Sequence, residues 1–267
     1  MTTDLSVQIG TLSLRNPILT ASGTFGYASE YETMVDFNKI GGIITKGISP
    51  EPRLGNIQPR IWETESGLIN AIGLDNVGVE DFERSKLDYL RKIDCAVVVN
   101  FFAESIESYA RLAGTLGSMI GVDALEANIS CPNVKAGGRE FGVDPVAAAE
   151  VTLASREATD CPLIVKLSPD VSNIGDIASA VANAGADAVT VASSLVVPSR
   201  SPNVYSRKCP AIPLCDWIDP TNALARAIRV DWPGVSCNAM LWETSSRIAT
   251  SRVSSNASRS IRCGSAS

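Results

Sequence analysis

Five polar residues stand where short apolar stretches of the sequence end. They are Ser22, Lys46, Asn100, Asn128 and Lys166. Each alone would be an ordinary strand terminator, but two lysines that close apolar strands need anionic partners, and a bound ligand is a good candidate. Cys131 follows the fourth stretch, between a serine and a proline and before a glycine-rich segment. A thiolate in such a loop can act as a base.

The chain contains no histidine among its 267 residues. Ser-His-Asp and Cys-His nucleophile systems need an imidazole, and the common catalytic zinc sites use at least one. The seven cysteines are scattered without a CxxC pair, so neither a disulfide framework nor a metal site is expected. Proton transfer must then use another side chain or a cofactor, which favours cofactor chemistry over hydrolysis.

Strand-like and helix-like stretches that would position these residues alternate over residues 1–192. After a small hairpin over 5–14, strands are predicted at 17–21, 42–46, 95–100, 124–129, 163–167 and 188–191, and helices at 79–92, 105–116, 144–159 and 173–184. Continuous apolar strands in such units favour a parallel sheet covered by helices. Six units fit a (β/α)8 TIM barrel with incomplete last units, and a doubly wound sheet is the alternative. In a barrel the strand tips share the C-terminal face, where active sites lie.

The composition changes after residue 192. Residues 193–267 hold 15 of the 30 serines but two of the 20 glycines, and their net charge is +5 against −11 for residues 1–192. The strand–helix rhythm also fades, and residues 254–267 are typical of a disordered tail. We therefore predict a barrel region over 1–192 that carries the active site and a divergent segment over 193–267, where the last barrel units are expected.

The overall charge and hydropathy limit the partners. A net charge of −6 with a pI near 4.9 argues against nucleic-acid binding. No apolar run reaches about 18 residues, and the first residues do not form a basic-then-apolar signal peptide. A soluble cytoplasmic protein that does not enter a membrane is expected.

The motifs resemble one enzyme family. The stretch Asn128-Ile-Ser-Cys-Pro-Asn-Val-Lys-Ala-Gly-Gly138 is similar to the catalytic subunit of class 1B dihydroorotate dehydrogenases. Further blocks agree in order and spacing: Asn16-Pro-Ile18, Ala21-Ser-Gly-Thr-Phe-Gly26, Lys46-Gly47, Asn70-Ala-Ile-Gly-Leu74 and Val165-Lys-Leu-Ser-Pro169. The resemblance covers residues 5–191.

The resemblance implies a role for each site residue. Cys131 is implied as the base that takes a proton from C5 of dihydroorotate while C6 gives a hydride to FMN. The implied substrate contacts, to which we add Asn133, are Lys46, Asn70, Ala71, Ile72, Gly73, Leu74 and Asn128. The implied FMN contacts are Ser22, Lys46, Gly47, Asn100, Asn128 and Lys166.

The resemblance also implies a place in pyrimidine biosynthesis and a set of partners. One FMN is expected per subunit, with FAD and a 2Fe–2S cluster on an electron-transfer subunit that passes electrons to NAD within a heterotetramer. Two alternatives stay open: an FMN enzyme similar to dihydropyrimidine dehydrogenase, and an inactive flavin-binding remnant of the family.

Two departures concern the end of the resemblance. The sixth strand is followed by Ala192-Ser193-Ser194 where the family has Ile-Asn-Thr, and 193–267 supplies none of the Gly-rich turns that bind the FMN phosphate in the family. The low glycine content, the excess of serine and arginine and the abrupt onset favour a shifted reading frame. Resequencing codons 190–195 tests this hypothesis, and an intact frame would contradict it.

Overall fold

A computed structural model of the chain describes residues 3–64, 67–130, 135–136, 139–168, 171–191, 226–232 and 235–243. Its strands are β1 (Val7–Ile9), β2 (Leu12–Leu14), β3 (Gly42–Ile44), β4 (Ile61–Thr64), β5 (Gly67–Asn70), β6 (Ala96–Phe101), β7 (Ala124–Asn128), β8 (Lys135–Ala136), β9 (Arg139–Glu140), β10 (Leu163–Leu167), β11 (Ala188–Val191), β12 (Arg226–Trp232) and β13 (Val235–Glu243). Its α-helices are α1 (Gly78–Asp81), α2 (Leu87–Leu90), α3 (Ile106–Gly117), α4 (Pro145–Glu157) and α5 (Ile174–Asn183). In the described part of the chain, no helix is long and apolar enough to cross a membrane.

The central sheet follows the order of the chain. From β3 it runs through β6, β7, β10 and β11, and these neighbours are all parallel. A parallel bridge between Leu19 and Gly42 adds the 17–21 segment beyond β3. A doubly wound sheet would reverse its strand order at a switch point, whereas a barrel is built in sequence. The barrel prediction is confirmed, and the doubly wound alternative is wrong.

The two faces of the sheet have different surroundings. Odd-numbered strand residues such as Val99, Leu125 and Val165 pack in the large core that includes Tyr109 of α3 and Val151 of α4. Even-numbered residues form a second apolar cluster with the β1–β2 hairpin, and this cluster comprises Ile9, Leu12, Leu14, Ile44, Val98, Ala124, Ile164 and Ala188. The even-numbered face is therefore the barrel interior, closed by the hairpin at the amino ends of the strands.

Local capping signals fix the helix starts. The Ser105 hydroxyl accepts from the Ser108 amide at 3.2 Å, and the Asp144 carboxylate accepts from two amides at the start of α4. Asn173 caps α5 in the same way through the Gly175 amide. These side chains satisfy amide groups that a helix leaves without backbone partners. All three helices begin within one residue of the predicted positions.

Two predicted elements differ from the structure. The 17–21 strand is reduced to one bridge, because Pro17 has no amide hydrogen and the Thr20 hydroxyl accepts from the Ile44 amide at 2.9 Å, in place of a backbone group. The predicted helix over 79–92 is interrupted by a π-helical segment over Phe82–Lys86, between α1 and α2.

Strands β12 and β13 fall in the segment that diverges in composition. They form an antiparallel hairpin, and β13 pairs antiparallel with β11. A regular barrel would place a parallel seventh strand beside the sixth. The direction of the sheet therefore reverses where residues 193–267 join it.

Candidate functional site

Lys166 and Ser22 meet at the C-terminal end of the barrel, as their places at strand ends predict. Lys166 lies on the inward face of β10, and its Nζ donates to Ser22 Oγ at 2.9 Å. In the parallel register it lies opposite Asn128 of β7 and Thr190 of β11. A cationic group thus stands among neutral hydrogen-bonding side chains, a setting that suits an anionic or electron-rich ligand.

The end of β3 carries an irregularity that places Lys46 and Gly47. The Thr45 amide donates to Val98 O at 3.0 Å, and the next such bond runs from the Ile48 amide to Asn100 O at 2.9 Å. Three residue steps on one strand therefore match two on the other, which is the signature of a bulge. The Lys46 amide turns away and donates to Gly26 O at 2.8 Å. Bulges re-aim side chains near active sites.

Gly47 leaves room beside Asn100. A Cβ built on Gly47 would lie 2.7 Å from Asn100 Oδ1 and 3.1 Å from the Phe102 ring. Both distances are closer than ordinary contacts, so a side chain here would displace the amide. The backbone at the end of β3 can approach the amide closely because this residue is glycine.

Lys46 shares a carboxylate with Arg60, a residue outside the sequence motifs. Its Nζ lies 3.2 Å from Asp75 Oδ2, and Arg60 Nη1 lies 3.1 Å from the same oxygen. The three side chains are partly buried, with exposed fractions of 27%, 35% and 25% for Lys46, Asp75 and Arg60. One carboxylate thus faces two cations, which leaves a net positive group at the rim of the barrel.

The predicted substrate segment Asn70, Ala71, Ile72, Gly73 and Leu74 leads from the β4–β5 hairpin to the Asp75 cluster. Asn70 and Ala71 are exposed, and the Ala71 amide donates to Arg60 O at 2.8 Å. Gly73 and Leu74 have φ values of 76° and 59°. A left-handed leucine costs about 1–2 kcal/mol, and such strain is found where a function requires the conformation.

Asn128 is held at the end of β7 by two neighbours. Its Oδ1 accepts from Ser130 Oγ at 2.7 Å, and its backbone oxygen accepts from the Tyr109 hydroxyl at 2.8 Å. These bonds fix the last residue before the predicted catalytic loop. Cys131 and Asn133 lie outside the described residues, so their predicted roles stay predictions.

Asn100 contacts a buried glutamate that sequence reasoning missed. Glu126 of β7 is fully buried on the inward face, where its Oε1 accepts from Asn100 Nδ2 at 2.6 Å. Its Oε2 accepts from Thr190 Oγ1 at 2.8 Å. The available signal was a single acidic residue within the apolar run Ala124-Leu-Glu-Ala-Asn128, because carboxyl groups are rarely buried without partners.

Two other cysteines, Cys95 and Cys161, contrast with the position predicted for Cys131. Both lie at the amino ends of strands and are partly buried. Burial raises the pKa of each thiol to about 11. They are therefore protonated near neutral pH, and a protonated thiol is a poor nucleophile and base.

Comparisons with known proteins show the family of the chain. The family model described as dihydroorotate dehydrogenase matches residues 4–201. The catalytic subunit of dihydroorotate dehydrogenase B (NAD(+)) from Geotalea uraniireducens is 52% identical over 192 residues, and that from Geobacter sulfurreducens is 53% identical over 192 residues. Each alignment covers 72% of this chain and 63% of the relative, so the chain spans less than two thirds of their length.

A solved structure shares the fold. The crystal structure of a dihydroorotate dehydrogenase from Eimeria tenella in complex with ferulenol matches with a TM-score of 0.60 at 22% identity. The match covers 73% of this chain and 61% of that one. The family match over most of the barrel region and the shared fold lead to one conclusion: this chain belongs to the dihydroorotate dehydrogenase family.

Proposed function

We propose that this chain oxidises dihydroorotate to orotate in pyrimidine biosynthesis, with FMN as its cofactor. One observation carries the proposal. Within the segment that the family model matches, Lys46 and Lys166 stand at the ends of parallel strands, and Lys166 is in register with Asn128. The site thus combines two cations with an amide, which suits a flavin beside a substrate that carries both a carboxylate and a ureide.

The described strand ends fit the ring of a flavin. Gly47 leaves open a space that a Cβ would fill, and Asn100 borders that space. Lys166 offers positive charge, which stabilises a reduced flavin at its N1/O2 edge. Ser22, Lys46, Gly47, Asn100, Asn128 and Lys166 would hold the ring. When bound, FMN is the oxidant, because it accepts the hydride from C6 of dihydroorotate.

The chain's own residues would supply the proton chemistry and the binding. Cys131, three residues beyond the end of β7, would take the proton from C5 as a thiolate, so the rate should rise as the thiol ionises. Lys46 would receive the substrate carboxylate beside Asp75, and Asn70, Asn128 and Asn133 would bind the ureide edge. The backbone of Ala71, Ile72, Gly73 and Leu74 would border the substrate.

We also infer a partner subunit. The relatives from Geotalea uraniireducens and Geobacter sulfurreducens are named catalytic subunits of an NAD(+) enzyme. By analogy, electrons would leave FMN for a second subunit that carries FAD and a 2Fe–2S cluster, within a heterotetramer. The division into a barrel region over 1–192 and a divergent segment over 193–267 belongs to the same proposal.

The decisive experiment is an anaerobic half-reaction. The purified chain is mixed with FMN, and the visible absorbance band of the oxidised flavin is followed after dihydroorotate is added. Bleaching by dihydroorotate but not by dihydrouracil is expected, because the carboxylate for Lys46 is present only in dihydroorotate. Bleaching by dihydrouracil would favour the dihydropyrimidine dehydrogenase-like alternative, and bound flavin that does not bleach would favour an inactive remnant.

A further inference from the structure

The buried carboxyl group of Glu126 lies in register with Asn100 of β6 and two residues before Asn128 on β7. It is fully buried, while Asn100 is 1% exposed and Thr190 is 7% exposed. Each of its oxygens accepts one hydrogen bond, from Asn100 Nδ2 at 2.6 Å and from Thr190 Oγ1 at 2.8 Å. The carboxyl group therefore joins β6, β7 and β11 across the barrel interior.

This contact decides which end of the Asn100 amide faces the strand tips. A carboxylate is an acceptor only, so it must face the NH2 end of an amide. The other end, Oδ1, then points toward the bulge of β3, where a Cβ on Gly47 would lie 2.7 Å from it. The Asn100 backbone is fixed as well, because its amide donates to Thr45 Oγ1 at 3.3 Å and its carbonyl accepts from Ile48.

We propose that Glu126 is a positioning residue that locks Asn100 with its amide oxygen toward the flavin. This inference rests on the proposed function. The oxidised isoalloxazine ring carries a single N–H donor, at N3, among several acceptors. An amide held with its oxygen outward complements that N–H, whereas a flipped amide would place a donor there. Glu126 thus acts through Asn100 and needs no contact with the flavin itself.

The amino ends of the strands are closed without the carboxyl group. The apolar layer below it, with Val98, Ala124, Ile164 and Ala188, already packs against the β1–β2 hairpin. Glu126→Leu keeps a similar volume but leaves the Asn100 amide and the Thr190 hydroxyl without their acceptor, so this variant should be less stable than the parent, and its melting temperature is recorded with its flavin affinity. Among the described residues of the parallel strands, Lys166 on β10 shares the inward face with Glu126, and Lys46 follows β3; both lysines have other partners.

The first test measures the affinity for FMN and for N3-methyl-FMN, which lacks the N–H donor. The parent chain should prefer FMN by at least about 10-fold, the effect of one well-made buried hydrogen bond. Glu126→Leu should weaken FMN binding by a similar factor and bring the preference close to 1. Glu126→Gln should keep the preference, because its amide oxygen can accept from Asn100 while the Thr190 hydroxyl rotates to accept from its amide.

Thr190→Val is the matched control, since it removes the other hydrogen bond to Glu126 and leaves the Asn100 contact in place. It should keep the preference for FMN even if its melting temperature falls. A Glu126→Leu chain that still prefers FMN as strongly as the parent would overturn the proposal. Equal loss of preference in Thr190→Val would also overturn it, because a general packing defect would then explain both.

A second test needs no flavin and separates this inference from the proposed function. Asn100→Asp faces Glu126 with a second carboxylate and should lower Tm by at least about 5 °C. Adding Glu126→Gln should restore most of that loss, because the glutamine amide then donates to the introduced carboxylate across the same contact. If the parent binds no flavin, the proposed function fails, and the melts still test the Asn100–Glu126 contact on which this inference depends: recovery supports the contact, and no recovery overturns it.

Discussion

Cys131 is the residue on which the proposed proton transfer depends. A histidine base is excluded because the sequence has none. The lysines at the strand ends are engaged, Lys46 by Asp75 and Lys166 by Ser22. The proposal therefore assigns the base to Cys131, and the following prediction measures its contribution.

Cys131→Ser should slow anaerobic flavin bleaching by dihydroorotate by at least about 100-fold, because a serine hydroxyl is a far weaker base near neutral pH. FMN affinity should stay within about threefold of the parent. Stopped-flow absorbance measures both quantities. Cys161→Ser, at the opposite end of the barrel, is the control and should bleach at the parental rate. An unchanged rate in Cys131→Ser would assign the base to another residue.

The thiols of Cys95 and Cys161 should resist alkylation near neutral pH. Burial raises the pKa of each from 9.0 to about 11, so the thiolate fraction at pH 7.5 is below about 0.1%. Peptide-resolved mass spectrometry after iodoacetamide treatment should show slow labelling at both positions and faster labelling at Cys131. Rapid labelling of Cys161 in the folded protein would contradict the burial that raises its pKa.

The same pKa shifts give a dependence of stability on pH. A thiol whose pKa is raised by folding holds its proton more tightly in the folded state than in the unfolded state. Its contribution to stability is therefore full below about pH 9 and is lost as the pH rises toward about 11. The melting temperature of the parent should fall as the pH rises over this range. It should fall less in a double variant that carries Cys95→Ala and Cys161→Ala.

At the scale of elements, the bulge at the end of β3 is where local geometry controls the site. Gly47→Ala would place a Cβ 2.7 Å from Asn100 Oδ1 and 3.1 Å from Phe102. The side chains must shift, at a cost of about 1–3 kcal/mol of stability. FMN affinity should fall by at least about 10-fold, as measured by fluorescence titration, because the shifted amide belongs to the proposed ring contacts.

Gly175→Ala is the matched control for that change. A Cβ there would approach the side chain of Asn173 at 3.3 Å, and this exposed cap can move to relieve the contact. Alanine also favours the helical conformation of α5 by up to about 1 kcal/mol. The FMN affinity of Gly175→Ala should therefore equal that of the parent. If Gly175→Ala and Gly47→Ala lose FMN affinity equally, the loss comes from general destabilisation and not from the bulge.

The sequence predicted elements well where the signal was local. Ser105, Asp144 and Asn173 mark helix starts because each cap acts on amides two or three residues away. The Glu126–Asn100 pair was missed because the two residues are 26 positions apart, and their contact depends on the register between β6 and β7. The β4–β5 hairpin was missed as well, since residues 61–70 have neither strict alternation nor a two-residue glycine turn.

At the scale of the whole molecule, the sequence motifs indicate the family, and the sheet shows where the strand pattern departs from a regular barrel. The ordered motifs over residues 5–191 predicted the family and the barrel, and both predictions are confirmed. The sheet stays parallel through β11 and then reverses at β13. The composition predicts a break after residue 192, and that division stays a prediction. Family relation and a complete cofactor site are therefore separate questions for this chain.

Binding of the FMN phosphate tests whether this member of the family has a complete cofactor site. In barrels of this kind, phosphate is bound by glycine-rich loops after the seventh and eighth strands and by a helix N-terminus. Residues 193–267 contain two glycines, so we expect the phosphate to add little to binding while the strand ends of residues 3–191 still hold the ring. Riboflavin should then bind within about threefold of FMN, by fluorescence titration of the full chain. A preference for FMN of about 100-fold or more would show that the divergent segment supplies a phosphate site of its own, and would contradict the shifted-frame explanation of its composition.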